Sequence, residues 1–308
     1  MDSLLVITNR DAGTADEEAL DRALASLFDH ASVEVTATAA PGELDGVLHR
    51  AGSRTIVVAG GDGSMHAVVA ALYRRHDLKD AVIGLIPLGT GNDFARAMEI
   101  PLDTEEAARL LVEGKPRPVD IIVDELGGVV VNHVHVGASA QASRRGSRWK
   151  ARLGKVGYKK LNLGKLGYPI GAALSAVKPP YIRLRIEVDG AVIVDVDQPV
   201  LMVAIGNGPT VGGGAELTPH ADPESGKVDV MISRSLGPLA RFGYAAQLAV
   251  GRHPERDDVI YLRGSTVSVS GEEFYCAADG EIYGPERQRT WHVEPGAYSM
   301  VLPKPTGG

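Results

Sequence analysis

Two short apolar runs in the first hundred residues each lead into a glycine-rich loop and then into a helical pattern. Residues 55–59 precede Gly60-Gly61-Asp62-Gly63-Ser64, and residues 82–87 precede Gly89-Thr90-Gly91. Buried strands that alternate with helices are typical of a parallel sheet covered on both faces. Ligands of such sheets bind beyond the carboxyl ends of the strands, where both loops fall. The sequence therefore predicts an α/β domain that binds its ligand at these loops.

The pattern changes after residue 120. Apolar runs with the character of strands now follow one another, with one helical stretch near residues 236–250; they occupy residues 129–136, 183–188, 192–196, 199–205, 228–233 and 263–270. Short turns such as Asp189-Gly190 join them, which indicates an antiparallel, β-rich second domain. The run 298–302 reads as a last strand that returns to the first domain. The predicted bounds are 1–124 completed by 295–308 for the first domain, and 125–294 for the second.

Each glycine loop has two chemical interpretations. Glycines let backbone N–H groups approach an anion, and the helix that follows adds a favourable dipole. Alternatively, each loop is a tight turn whose polar residue caps the helix, with Asp62 or Ser64 in the first and Asn92 or Asp93 in the second. Two such loops at one edge of a sheet favour the anion site. Neither loop has the Lys followed by Ser or Thr that a P-loop requires.

The pair of loops closely resembles the two signature motifs of the diacylglycerol-kinase catalytic domain. Residues 60–64 are similar to its GGDGT motif, and residues 86–95 match its second motif nearly letter for letter. Further matches follow in the family's order: Asn132 with Gly137, Gly206-Asn207-Gly208, Gly212-Gly213-Gly214, Pro219-His220-Ala221 and Asp279-Gly280-Glu281. Sphingosine and ceramide kinases belong to the same superfamily, and NAD kinases and phosphofructokinases are distant relatives. The resemblance covers nearly the whole chain.

The resemblance implies an ATP-dependent lipid kinase with its active site in the interdomain cleft. The first domain would bind ATP with Mg²⁺, and the second would bind the lipid, with diacylglycerol as the best substrate prediction and phosphatidic acid as its product. Asp279 would be the general base and Glu281 would support it, while Asp62 would act through the magnesium or position the phosphate. The implied nucleotide-binding residues are Asn9, Arg10, Gly13, Thr38, Gly60, Gly61, Asp62, Gly63, Ser64, His66, Thr90, Asn92 and Asp93.

Several positions depart from the family pattern. Arg10 stands where proline is usual, Ser64 replaces threonine, and His66 replaces asparagine. Some bacterial members bind a structural magnesium at the turn that corresponds to residues 222–227. Ser225 occupies the position of an aspartate there, so such a site would depend on Asp222 or Glu224.

Several alternatives stay open from the sequence. One is an NAD kinase or another small-molecule kinase; an NAD kinase would share the first glycine loop but not the second motif or the late glycine block. A nucleotide- or lipid-binding protein that has lost catalysis would explain Arg10, His66 and Ser225. Without the resemblance, Asp279-Gly280 reads as a hairpin turn.

His133 and His135 share one strand face, where they are either part of a metal site or a packed pair.

Charge and cysteine content restrict the partners and the compartment. The net charge of -7 argues against nucleic acid. Arg144–Lys165 nevertheless holds nine Lys or Arg and no acid, which leaves 32 - 9 = 23 basic against 39 acidic residues elsewhere. Its apolar and aromatic residues favour contact with anionic lipid, and the alternative is a solvated face.

The single cysteine and the lack of an apolar run of roughly 18 residues predict a cytoplasmic protein with peripheral membrane association. A homodimer is also compatible with the sequence.

Overall fold

The computed structural model describes residues 3–9, 14–137, 140 and 181–304. The chain forms two compact units. Unit 1 contains Met1–Ile121, Pro223–Gly226 and Glu294–Gly308, and unit 2 contains Ile122–Asp222 and Lys227–Val293. The Arg144–Lys165 segment lies outside the described residues.

Unit 1 is built on a parallel sheet with the strand order β2-β1-β3-β4-β16, in which β16 is Glu281–Leu302 and pairs with β4 near its end. Its first four strands are β1 Ser3–Asn9, β2 Ser32–Thr38, β3 Thr55–Gly60 and β4 Val82–Pro87. The helices between and after them are α1 Thr14–Phe28, α2 Pro41–His49, α3 Asp62–Arg74, α4 Asp93–Ala97 and α5 Thr104–Glu113. The predicted α/β fold of the first domain is confirmed.

The helices of unit 1 follow from local sequence. Leu20, Leu24 and Leu27 lie on one face of α1 and are buried against the sheet. Asp103 begins α5 by accepting hydrogen bonds from the backbone N–H groups of the second and third residues of the helix, at 3.1 and 3.0 Å. Among the residues that the structure describes, no helix is long and apolar enough to cross a membrane.

Unit 2 is β-rich and antiparallel, as the sequence predicts. Its main sheet has the order β14-β13-β10-β7-β15-β16, and β8 and β9 extend it from β15. The strands are β6 Val129–Val130, β7 His133–Gly137, β8 Leu184–Val188, β9 Ala191–Val194, β10 Met202–Gly206, β11 Thr210–Val211, β12 Ala215–Glu216, β13 Val228–Ser233, β14 Val259–Gly264 and β15 Thr266–Ala278. Helix α6 is Pro238–Leu248, and the strands β5 Lys115–Asp124 and β16 Glu281–Leu302 contribute to both units.

Two predicted strands are divided in the structure because some of their backbone N–H groups donate hydrogen bonds to carboxylate side chains. The run 129–136 breaks at Val131 and Asn132, whose N–H groups bond to the side chain of Asp279. The run 263–270 breaks at Ser265, whose N–H bonds to Asp189 at 2.8 Å. The predicted last strand, 298–302, is in fact the end of the 22-residue β16.

Candidate functional site

The carboxyl ends of the parallel strands in unit 1 bring several predicted nucleotide contacts to one edge. Asn9 pairs with Thr38 at the ends of β1 and β2. Gly60 pairs with Pro87 at the ends of β3 and β4. Since β1 also pairs with β3, the four positions share the edge at which a parallel sheet binds its ligand.

The two glycine loops meet at this edge, backbone to backbone. A Cβ atom added to Gly61 would lie 3.0 Å from the Cα of Gly89. One added to Gly89 would lie 2.6 Å from the Cα of Gly61 and 2.7 Å from Oδ1 of Asn92. A Cβ on Gly63, in contrast, would have no neighbour within 4 Å. The loops therefore need glycine at Gly61 and Gly89 to approach each other, whereas Gly63 has open space beside it.

Asp62 fastens the second glycine loop to the first. It is the first residue of α3, and its carboxylate accepts hydrogen bonds from the backbone N–H groups of Asp93 and Phe94 at 3.1 and 2.8 Å. Helix α4 is thus capped by a side chain from the other loop. The prediction that Asn92 caps this helix is wrong, because its side-chain amide donates to the Gly89 carbonyl at 2.7 Å and its backbone is left-handed.

The remaining predicted nucleotide contacts differ in exposure. Ser64 and His66 lie half-buried among the first five residues of α3, and Thr90 is exposed. Asn92 and Asp93 are only 9% and 5% exposed, so their side chains are largely part of the loop interior. Arg10 and Gly13 lie outside the described residues. The helix N-terminus and the exposed loop backbone fit a phosphate group, which needs N–H donors and space free of side chains.

In unit 2, Asp279 and Gly280 form the two-residue turn between β15 and β16. Both have positive φ, 45° and 89°, which is the conformation of a hairpin turn of the primed type. The Asp279 carboxylate accepts from three consecutive backbone N–H groups, those of Val131, Asn132 and His133, at 2.7, 3.0 and 3.1 Å. The hairpin prediction is confirmed, and the turn holds a carboxylate in a fixed orientation.

The asparagines of the later motifs support the backbone that binds Asp279. The amide of Asn207 donates to the carbonyl of Val131 at 3.0 Å, and the backbone N–H of Asn207 donates to the carbonyl of Asn132 at 2.8 Å. The amide of Asn132 donates to the carbonyl of Thr210 at 3.1 Å. These buried bonds hold residues 131 and 132 out of the β ladder, so that their N–H groups stay directed at the carboxylate.

His133 and His135 form a stacked, buried pair with ring centroids 5.6 Å apart. Nε2 of His133 lies 2.8 Å from the Thr218 hydroxyl, which donates its own proton to the Gly208 carbonyl. Nε2 therefore carries the proton of a neutral ring. Burial lowers the pKa of His135 to about 4, against the opposing charge of Asp279, and burial also lowers the pKa of His133 well below its usual value.

The histidine pair matches the packed interpretation. Within the described ranges, no group of three or more His, Cys, Asp or Glu side chains could hold a metal ion. Cys276 is buried beside this strand, and burial raises the pKa of its thiol to about 11. A thiol with so high a pKa is a poor nucleophile near neutral pH.

Glu281 is exposed just beyond the turn and accepts a hydrogen bond from the Tyr283 hydroxyl at 2.6 Å. Partial burial, followed by this bond, raises the pKa of Tyr283. Glu281 therefore has a partner on its own strand, and its predicted support of Asp279 stays a prediction.

The turn at residues 222–227, considered above as a structural magnesium site, is in contact with an arginine. Arg117 donates to both carboxylate oxygens of Glu224, and it also donates to the carbonyl of Pro303 at 3.0 Å. Asp120 accepts from the N–H groups of Gly226 and Gly296 at 2.5 and 2.8 Å. A guanidinium against Glu224 disfavours a metal ion at this carboxylate, whereas a structural magnesium held by Asp222 and Ser225 stays a prediction.

Sequence reasoning missed Arg117, Asp120 and Thr218. Arg117 and Asp120 lie in a strand far from residues 224–226 in sequence, and nothing in their local pattern indicates the pairing. Thr218 precedes the predicted Pro219 motif by one residue. The space for it is left by Gly206, where an added Cβ would lie 2.0 Å from the Thr218 hydroxyl oxygen.

Comparison with protein-family models finds a match to each part of the chain. Residues 3–123 match the diacylglycerol kinase catalytic domain. Residues 132–302 match the YegS C-terminal NAD kinase beta sandwich-like domain. Together the two matches include both glycine loops and the Asp279 turn.

Curated proteins and a solved structure are also similar to the chain. A "Probable lipid kinase YegS-like" from Stenotrophomonas maltophilia is 30% identical over 82% of this chain and 80% of its own length. One of the same name from Cronobacter sakazakii is 32% identical over 75% and 73%. A "Diacylglycerol kinase" from Staphylococcus carnosus is 29% identical over 74% and 70%. The crystal structure of a diacylglycerol kinase from Bacillus anthracis has a TM-score of 0.74 at 21% identity and covers 99% of this chain and 98% of its own, which supports the fold.

Proposed function

Because the chain belongs to the YegS-like lipid kinases that carry a diacylglycerol kinase catalytic domain, we propose that it transfers the γ-phosphate of ATP to the hydroxyl group of diacylglycerol. The products would be phosphatidic acid and ADP. The observation that carries the proposal is the close backbone approach of Gly61 and Gly89 beside the N-terminus of α3. Two glycine-rich loops at this helix end suit a polyphosphate.

The proposed ATP site uses the loops of unit 1. Backbone N–H groups of residues 60–64 and the hydroxyl of Thr90 would hold the phosphates, while Asn9 and Thr38 lie at the strand ends nearby. Asp62 would act mainly by keeping the two loops together, since both of its oxygens accept from α4. Mg²⁺ would accompany ATP and neutralise charge on the phosphates.

The proposed general base is Asp279. It would accept the proton of the lipid hydroxyl as the hydroxyl oxygen bonds to the γ-phosphorus, while the bond from that phosphorus to the β–γ bridging oxygen breaks. Its three bonds from backbone N–H groups support this role by fixing the carboxylate in one orientation. The sequence-based prediction that the reaction takes place in the interdomain cleft stays a prediction.

Diacylglycerol is proposed as the substrate because one relative is named for it, and the shared chemistry is a primary hydroxyl on a membrane lipid. We also propose that the enzyme works from the cytoplasm at a membrane surface. Arg144–Lys165 would then contact anionic lipid, since its nine positive charges come without an acid.

The test is transfer of labelled phosphate from Mg-ATP to a panel of lipids in mixed micelles, with NAD as a soluble acceptor in parallel. The panel includes diacylglycerol, sphingosine, ceramide and phosphatidylglycerol. Label in phosphatidic acid is the expected result. Label in another lipid would replace the substrate and keep the lipid-kinase activity, whereas label in NADP would contradict the proposed function.

A further inference from the structure

Helix α6 in unit 2 is apolar on the face that it turns to solvent. Leu239, Phe242 and Val250 are 88%, 75% and 65% exposed, and Ala246 and Ala249 are exposed between them. Their spacing of three to four residues places them along one side of the helix and its last turn. No other element in the described part of the chain has exposed large apolar side chains at this spacing.

The opposite face of α6 is already packed against the unit. Tyr244 is buried, with its hydroxyl 3.5 Å from the sulfur of Met202 and 3.7 Å from that of Met231. A surface helix normally turns polar side chains to solvent on the side away from the core. The outer side of α6 carries large apolar side chains instead, so it has the composition of a surface that meets a second apolar phase.

Basic side chains lie on and beside α6, and the acids Glu255, Asp257 and Asp258 follow shortly after it. Residues 234–252 contain three arginines and no acid, in a chain with a net charge of -7. Arg234 and Arg252 are exposed before and after the helix, and Arg252 forms an ion pair with Glu255 at 2.7 Å. Arg241 is buried and donates to the carbonyl of Leu236. Aromatic and leucine side chains flanked by arginine are typical of helices that lie in the membrane interface.

We propose that α6 is a membrane-docking helix, which inserts Leu239, Phe242 and Val250 into an anionic bilayer and so brings the enzyme to its lipid. The inference rests on the proposed function, because only a lipid substrate requires the enzyme to stay on a bilayer. The apolar stripe of α6, formed by Leu239, Phe242 and Val250, exposes on the order of a few hundred Å². Leucine and phenylalanine side chains with an exposed arginine before and after the helix suit a lipid surface, and a contact with a second copy of the chain is the alternative that the experiment distinguishes.

The experiment compares two double variants of the full chain. Leu239→Gln with Phe242→Gln removes the apolar groups of α6 without adding charge. Leu126→Gln with Val196→Gln is the matched control, since these residues of unit 2 are also exposed, at 77% and 46%, but belong to the loops after β5 and β9. Sedimentation with vesicles of phosphatidylcholine and phosphatidylglycerol measures binding, and light scattering measures the oligomeric state.

The α6 variant is expected to bind these vesicles at least about tenfold more weakly than the unchanged protein, and the control within about twofold of it. Phosphorylation of a short-chain diacylglycerol dissolved as monomers should be equal in all three proteins. Unchanged vesicle binding by the α6 variant would overturn the proposal, and a changed oligomeric state with unchanged binding would make the stripe a contact between copies. If no protein phosphorylates any lipid, the proposed function fails, while the vesicle result still decides whether α6 docks.

Discussion

The glycine loops of unit 1 and the Asp279 turn of unit 2 both hold an aspartate with backbone N–H groups, but they use glycine differently. Gly61 and Gly89 are needed because an added Cβ would strike the neighbouring loop. Gly280 has no atom near its missing Cβ and is suited by its φ of 89° alone. One site thus depends on close approach between two segments, and the other depends on the conformation of a single turn.

The two aspartates differ in the same way. Asp62 connects two loops through two N–H groups, so its removal would loosen the position of a whole helix. Asp279 is fixed by three N–H groups from one segment, which leaves that segment in place and orients the carboxylate. We therefore propose a positioning role for Asp62 and a chemical role for Asp279, and the two roles can be separated by experiment.

The largest effect is expected for Asp279→Asn. Loss of the proposed base should lower kcat by about 10²- to 10⁴-fold while ATP still binds. Steady-state kinetics and ATP titration measure the two effects. Asp189→Asn is the matched control, because Asp189 also precedes a turn glycine, has positive φ and accepts two backbone N–H bonds. Equal turnover in the two variants would remove Asp279 as the base.

Gly89→Ala should have the next largest effect. The added Cβ forces the two loops apart, which should cost about 1–3 kcal/mol of the free energy of unfolding and lower kcat/KM for ATP about tenfold or more. Thermal unfolding measures the loss of stability, and steady-state kinetics with ATP measure the loss of kcat/KM. Gly63→Ala is the control, because its Cβ has space and should not destabilise the fold. A loss of ATP affinity in this variant would come from contact between the added Cβ and the bound ATP. A Gly89→Ala protein as stable and active as the original would contradict the close approach of the loops.

The buried histidines give unit 2 a pH dependence. Between pH 6.5 and about 4, the unfolded state binds a proton that the folded His135 excludes, so the free energy of unfolding falls as the pH falls through this window. The slope should be roughly 1.4 kcal/mol per pH unit for such a histidine. Denaturant unfolding at several pH values measures it. His135→Gln should flatten the slope, whereas the exposed His49 changed to Gln should not; equal slopes would show that His135 is not the source.

Gly280→Ala should have the smallest effect. Only the left-handed backbone is penalised, at a cost of about 1 kcal/mol of the free energy of unfolding. Thermal unfolding of Gly280→Ala and Gly89→Ala under the same conditions compares the two losses of stability directly. A loss at Gly280 larger than the loss at Gly89 would reverse the distinction between the two sites.

Much of the fold follows from local patterns. Strand β4 has its predicted bounds, and β3 ends one residue after its predicted end, because continuous apolar runs between polar turns allow little else. The Asp279-Gly280 hairpin also follows from the dipeptide itself. The breaks at residues 131–132 and 265 could not be predicted, since each depends on a carboxylate that arrives from a distant part of the chain.

By itself, the sequence determined the alternation of strands and helices, the two glycine loops and the family to which the chain belongs, because each is written in residues close together along the chain. Only the tertiary structure decided which partner each polar group finds. Asp62 caps a helix 31 residues away, Asp279 binds backbone 146 to 148 residues away, and Arg117 pairs with Glu224 where a metal was considered. Such pairs are fixed by the folded path of the backbone, and no local pattern of residue types encodes them.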